Sequence, residues 1–169
     1  MRLEGSFEVD QPANFVWRKV KDPNLMAGCI PGCQNVEQLD EKNYRADVLV
    51  TIGIIRASFN LNIEVIKEIE NLELQSRTTG QEGTQASIIS SENTLSLKAI
   101  SEQKTKLEFS SEVTISGRLG KYGLGIIKKS ALKMADEFAA NFSRAIETGS
   151  AKVSTEPIIL PKTSIWHKI

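Results

Sequence analysis

The sequence predicts an α+β fold: a seven-stranded, curved antiparallel sheet around one long C-terminal helix, with two short helices after the first strand. Three observations predict it. Residues 122–148, YGLGIIKKSALKMADEFAANFSRAIET, repeat apolar side chains at Ile127, Ala131, Met134, Ala135, Phe138, Phe142, Ala145 and Ile146, the three-and-four spacing of one helix face. At about 1.5 Å per residue such a helix would run roughly 40 Å. Almost everything before it alternates with a period of two, and the alternating segments follow one another closely, so consecutive antiparallel pairing is the simplest topology. One amphipathic helix and a run of strands then share a single core, and the helix lies across the sheet.

Residues 2–10 form the first strand, with Leu3, Gly5, Phe7 and Val9 on one side and Glu4, Ser6, Glu8 and Asp10 on the other. Pro12 suits the first turn of a helix, and PANFVWRKV gathers Phe15, Val16 and Val20 toward one face. Asp22-Pro23 breaks that helix, and Asp22 can cap a second short one, PNLMAG. A tight turn, CIPGC at 29–33, leads back to strand. Residues 34–39 form a short strand, and residues 43–52 present Tyr44, Ala46, Val48, Val50 and Ile52 on one face. After Gly53, residues 55–65 set Ile55, Ala57, Phe59, Leu61, Ile63 and Val65 against polar partners. Leu72, Leu74, Ser76 and Thr78 share a face of the next strand, with Gly80 and Gly83 flanking its turn. Across residues 84–100 the parity changes, because Ala86 and Ile88 are out of phase with Leu95, Leu97 and Ala99. A bulge near 91–93 would account for the slip. Leu107, Phe109, Ser111, Val113 and Ile115 close the series. Gly117, Gly120, Gly123 and Gly125 make a glycine-dense lead-in to the long helix, which reads either as a plain joint or as a gate.

The 169 residues suit one domain, residues 1–149, followed by a tail, 150–169. The tail has no helical or strand period and is expected to be mobile, yet it carries Ile158, Ile159, Leu160, Ile165 and Trp166. It either folds back on its domain or docks on a partner or a membrane. Lys plus Arg and Asp plus Glu both number 21, so the net charge is zero and nothing electrostatic argues for nucleic acid. No apolar run approaches membrane-spanning length, and MRLEGSFEVD has no signal core. The expected location is cytoplasmic, with peripheral contact at the inner face of the membrane left open. Cys29 and Cys33 read as structural thiols. With one histidine, His167 in the tail, neither a metal site nor a Cys–His nucleophile is expected. No dinucleotide or phosphate-loop motif is present, and no cofactor is expected.

What the pattern offers is a cavity. Small residues on the inward faces leave room between the sheet and the helix, and a concave, mainly apolar space with a few hydroxyls suits a hydrophobic small molecule; the competing reading is a filled core. The candidate lining is Tyr44, Val48, Ala57, Phe59, Leu61, Leu74, Ser76, Ala86, Ile88, Leu97, Phe109, Ser111, Ile127, Met134, Phe138 and Phe142, with Tyr44 and Ser111 as polar anchors.

Three segments also resemble a known family. DPNLMAGCIPGC at 22–33, VTIGIIRASFNLNI at 50–63 and VTISGRLGKYGLGII at 113–127 are similar to motifs of the G-subunit family of carbon monoxide dehydrogenase, although Ile54-Ile55 stands where a proline is common in that family. The resemblance covers residues 1–148. It implies a START-like, helix-grip fold and a non-catalytic accessory role beside a molybdenum hydroxylase, in assembly or membrane recruitment, with a lipid or quinone in the cavity. It therefore implies oxidoreductase subunits as partners. Two other readings stay open: a START-fold cyclase, dehydratase or hydrolase acting on an aromatic or polyketide-like substrate, and an assembly factor working through protein contacts only.

Overall fold

The protein is described here by a computed structural model, which covers residues 1–83 and 86–147. The tail at 150–169 lies outside the described residues. The elements are β1 (Arg2–Val9), α1 (Ala13–Val20), α2 (Pro23–Cys29), β2 (Cys33–Gln38), β3 (Asn43–Ile52), β4 (Ile55–Ile69), β5 (Glu73–Glu82), β6 (Ser87–Ser101), β7 (Lys104–Gly117), a short 3₁₀ turn (Leu119–Lys121) and α3 (Leu124–Glu147). All seven strands form one antiparallel sheet in the order β1-β7-β6-β5-β4-β3-β2. This is the curved sheet and long C-terminal helix that the periodicity predicts. Register shifts between Cys33 and Asn35, Val65 and Lys67, and Ala99 and Ser101 are bulges, which bend strands and raise their twist.

The short helices follow their local signals. Pro23 sits in the first turn of α2, and the Asp22 carboxylate accepts from the backbone N–H of Asn24 at 3.0 Å and Leu25 at 3.2 Å, satisfying donors that the helix itself cannot. α1 buries Val16, Trp17 and Val20 against Val9, Leu25, Cys29, Leu97, Leu107, Phe142 and Ile146 in the larger of two core clusters. An aromatic group ties α3 to β1. Phe7 meets the rings of Phe138 and Phe142 edge-on at 6.5 and 6.1 Å, and those two stack at 5.7 Å. Asn141 Nδ2 donates to the Cys29 carbonyl and Gln11 Nε2 to that of Ile146, so the C-terminal half of α3 is held on several sides. The smaller cluster, Ile52, Ala57, Phe59, Leu119 and Ile127, closes the other end.

Three sequence expectations are corrected. There is no bulge at 91–93: β6 keeps unbroken register with both neighbours from Ser87 to Ser96. Its inward residues are the odd ones, Ile89, Ser91, Asn93, Leu95 and Leu97, while Ile88 is 48% exposed. Two adjacent isoleucines left the parity ambiguous, and the outer one is the one in phase with Ala86. Gly80 lies within β5 rather than at its turn, and β4 runs on to Ile69.

The glycine-dense lead-in is a latched joint. Gly117 has φ +86°, and a Cβ there would lie 2.3 Å from the Ala86 carbonyl oxygen, so a side chain is excluded both by conformation and by space. Arg118 N–H donates to the same carbonyl at 2.7 Å. The Arg118 guanidinium makes a two-pronged pair with Glu82, Ser87 Oγ donates to Glu82 at 2.8 Å, and Leu119 N–H donates to Ser87 Oγ at 3.0 Å. These bonds seat Leu119, which is fully buried, as a plug at this end of the core.

Arg118 hydrogen bonding holds the Glu82 carboxyl below the usual glutamate range, against the opposing effect of burial. Such a group contributes stability that is complete above the pH where glutamate titrates in the unfolded chain and is lost as the pH falls through the lowered folded-state value. We expect Glu82→Gln to lower stability at pH 7 by about 1–2 kcal/mol, the size being limited because the Arg118 side chain is 42% exposed. Between pH ~5 and ~3 the variant should lose less stability than the parent. Urea midpoints across that range check both points.

Candidate functional site

Between the sheet and the N-terminal half of α3 lies a cavity of about 490 Å³. Alternation builds its walls. The even residues of β3 (Tyr44, Ala46, Val48, Val50, Ile52) face the odd residues of β4 (Phe59, Leu61, Ile63, Val65), and Leu74, Ser76 and Thr78 continue the surface on β5. Cross-strand register places these side by side: Tyr44 opposite Ile63, Ala46 opposite Leu61, Val48 opposite Phe59, and Ile63 opposite Thr78. Ile89, Val113, Ile115, Leu3 and Met1 close one side, and Val20, Lys21, Pro23, Met26, Ala27, Ile30, Cys33 and Val36 the other. Ile127, Ser130, Ala131 and Met134 of α3 form the roof. Short side chains at Ala46, Ser76, Thr78, Ser130 and Ala131 leave the volume, which lies within the roughly 300–1,000 Å³ of small-molecule sites.

The lining divides the sequence candidates cleanly. Tyr44, Val48, Phe59, Leu61, Leu74, Ser76, Ile127 and Met134 stand on the wall. Phe138, Phe142 and Leu97 do not, because they pack in the larger core cluster beneath α1 and α2. Ala57 is buried in the smaller cluster. The Phe109 ring occupies the space a side chain on Gly5 would fill, with a Cβ there only 2.4 Å away, and so points to β1 instead of the cavity. Ala86 is exposed in a turn and Ile88 faces outward. Ser111 is one layer back, donating to Asn93 Oδ1 at 2.8 Å. Sequence reasoning missed the contribution of α2 and the turn after it, since a helix-face pattern does not say what the face covers. It also missed Asn93, hidden by the supposed bulge.

Apart from the Met1 ammonium, which donates to the Val113 carbonyl at 2.9 Å, the wall is apolar with six side-chain exceptions: Lys21, Cys33, Tyr44, Ser76, Thr78 and Ser130. Lys21 Nζ pairs with Glu68. Tyr44 Oη meets Gln38 Nε2 at 3.4 Å on the solvent side. Burial pushes the Cys33 thiol above its ordinary range, and the fully enclosed Cys29 thiol is pushed up to about 12, so neither supplies a ready thiolate. Neither cysteine is in a disulfide. No Asp, Glu, Arg or His stands among the described wall residues. Among the described residues there is also no group of three or more His, Cys, Asp or Glu side chains placed to hold a metal ion, and no helix long and apolar enough to cross a membrane. The arrangement can enclose an apolar body and offer it a few uncharged polar contacts.

The fold is shared with solved structures. A conserved protein from Geobacillus kaustophilus superposes with a TM-score of 0.81 at 22% identity, over 88% of this chain and 97% of its own. A START superfamily protein from Mycobacterium smegmatis gives 0.70 at 18% identity, over 87% and 97%. The ZhuI aromatase/cyclase from Streptomyces sp. R1128 gives 0.62 at 11% identity, over 90% and 94%. Comparison with curated protein sequences gives no match. The sequence profile of CoxG, the G subunit of carbon monoxide dehydrogenase, matches residues 5–147. With a START-like sheet closed on its last helix and that profile matched over nearly all of the described residues, the chain belongs to the carbon monoxide dehydrogenase CoxG family.

Proposed function

We propose that this protein holds a hydrophobic small molecule, a lipid or a quinone, in its cavity without transforming it, and serves as an accessory subunit to a molybdenum hydroxylase of the carbon monoxide dehydrogenase kind. The observation that carries the first part is an apolar cavity of about 490 Å³ retained inside an otherwise packed domain. Empty apolar space costs stability, so a retained cavity argues for an occupant. The absence of a carboxylate, arginine or histidine from its described wall supports a binding role, because proton transfer at a substrate needs a positioned acid or base. The accessory role rests on family membership. One solved relative of the same fold is an aromatase/cyclase, which keeps an enzyme as the second reading.

Organic extraction of the purified protein, followed by mass spectrometry, tests the first part. A neutral apolar molecule should be recovered in stoichiometric amount, and Ala131→Phe, which fills the roof, should reduce it by tenfold or more while the thermal transition is retained. Recovery of a chemically altered product after incubation with an aromatic or polyketide-like substrate would favour the enzyme. Affinity capture with the full chain should bring down molybdenum hydroxylase subunits. Capture that persists in Ala131→Phe with no ligand recovered from the parent would favour action by protein contacts alone.

The same proposal includes peripheral membrane contact, through the end of the molecule that carries the β3–β4 turn and the start of α3. Ile54, Leu124 and Ile126 are 95%, 70% and 49% exposed there. The segments that build this end, 48–63, 79–83, 86–90 and 113–135, contain one carboxylate, Glu82, which is paired with Arg118, and carry Arg56, Lys121, Lys128, Lys129 and Lys133 besides. The turns at the opposite end carry Asp40, Glu41, Glu70 and Glu102. An apolar tip ringed by cations fits an anionic bilayer. Cosedimentation with phosphatidylglycerol-containing vesicles should exceed that with phosphatidylcholine alone and fall by several-fold in Ile54→Ser/Leu124→Ser. Equal sedimentation of parent and variant would remove this face from the proposal.

A further inference from the structure

On the concave face, Ser76, Asn93 and Ser111 stand in direct register across β5, β6 and β7, and Thr78 lies one inward position along β5. The Asn93 amide spends its groups within this row. Nδ2 donates to Ser76 Oγ at 3.3 Å and to Thr78 Oγ1 at 3.2 Å, and Oδ1 accepts from Ser111 at 2.8 Å. An amide has two N–H donors, and both are used. Ser76 and Thr78 therefore act as acceptors toward Asn93, and each keeps its own O–H proton. Neither hydroxyl donates to any described protein group, and both side chains line the cavity.

We propose that this pair is a recognition site for a neutral oxygen acceptor, a ketone, ester or quinone carbonyl, at one end of the apolar ligand. The inference rests on the reading of the cavity as a ligand site and narrows it. Two hydroxyls held against one nitrogen give two donors converging on one small region of an otherwise hydrocarbon wall. A carbonyl oxygen, with two lone pairs, accepts both. A pure hydrocarbon leaves both donors buried without a partner. A carboxylate brings a charge into the cavity with no cation in the row to meet it, since the wall's two described cations are engaged elsewhere: Lys21 is paired with Glu68, and the Met1 ammonium donates to the Val113 carbonyl at 2.9 Å. Asn93 and Ser111 act as positioning residues, and Ser76 and Thr78 as the contacts.

Displacement of the fluorescent probe 1-aminoanthracene from the full chain, delipidated beforehand, tests this with three competitors of equal chain length: 2-undecanone, n-undecane and undecanoate. We expect the ketone to compete best. Thr78→Val, which keeps the side-chain shape, should weaken the ketone by roughly fivefold to tenfold and strengthen n-undecane, which no longer leaves that donor without a partner; Ser76→Ala/Thr78→Val should abolish the ketone's advantage. Undecanoate binding more tightly than the ketone, or ketone affinity unchanged in both variants while the probe still binds, overturns the assignment and leaves the cavity reading standing. Failure of the parent to bind the probe or any competitor overturns both.

Discussion

The structure depends on how one helix is held across the sheet, with large side chains packing its C-terminal half and a hydrogen-bonded joint fixing its start. The C-terminal half of α3 is fixed to β1 by the Phe7, Phe138 and Phe142 rings and to the loops around it by Asn141 and Gln11. Its N-terminal half carries Ser130 and Ala131 toward the sheet, side chains too short to reach a wall that bends away. Stacked aromatic rings at one end, and the short side chains of Ser130 and Ala131 between Ile127 and Met134 at the other, on a single rigid rod, turn a continuous core into a packed region and a cavity. Protein interiors otherwise close to near-crystalline density, so the space is a consequence of which residues α3 places where.

The latch at the opposite end of the rod complements this. Glu82, Arg118, Ser87 and Leu119 bind the β7–α3 joint to the β5–β6 end of the sheet, and Leu119 and Ile127 seal the smaller cluster. A joint rich in glycine is thereby defined by hydrogen bonds and one buried apolar plug rather than by intrinsic helix propensity. The cavity lies between two anchored ends, with Val20 of the larger cluster and Ile52, Phe59 and Ile127 of the smaller one all on its wall.

The polar row that reaches that wall through Ser76 is notable for where it falls. Its members come from three strands, with 17 residues from Ser76 to Asn93 and 18 from Asn93 to Ser111, gaps set by hairpin register. In the sequence Ser76 reads as a small inward residue and Ser111 as a lone polar anchor, while Asn93 falls in the supposed bulge. Only pairing brings Ser76, Asn93 and Ser111 into line, and only then does the amide's full commitment leave two hydroxyl protons facing the cavity.

Much of the fold was legible in the chain because period two and period 3.6 are local properties of a strand and a helix, and β3, the two short helices and α3 were readable from them to within a residue or two. The cap at Asp22 and the breaks at prolines are local as well. Half of the candidate wall was legible for the same reason: alternation says which side a residue faces. It failed at Ile88 and Ile89, where two equal side chains left the phase undetermined, and at Phe138, Phe142, Leu97 and Phe109, which face inward but toward other side chains. Inward direction is a local property, set by pleat and helix pitch. Whether an inward side chain meets another side chain or open space depends on strand register, sheet curvature and the seating of α3, which are relations between residues far apart in sequence, so the tertiary structure alone decided where the cavity is and which groups it presents.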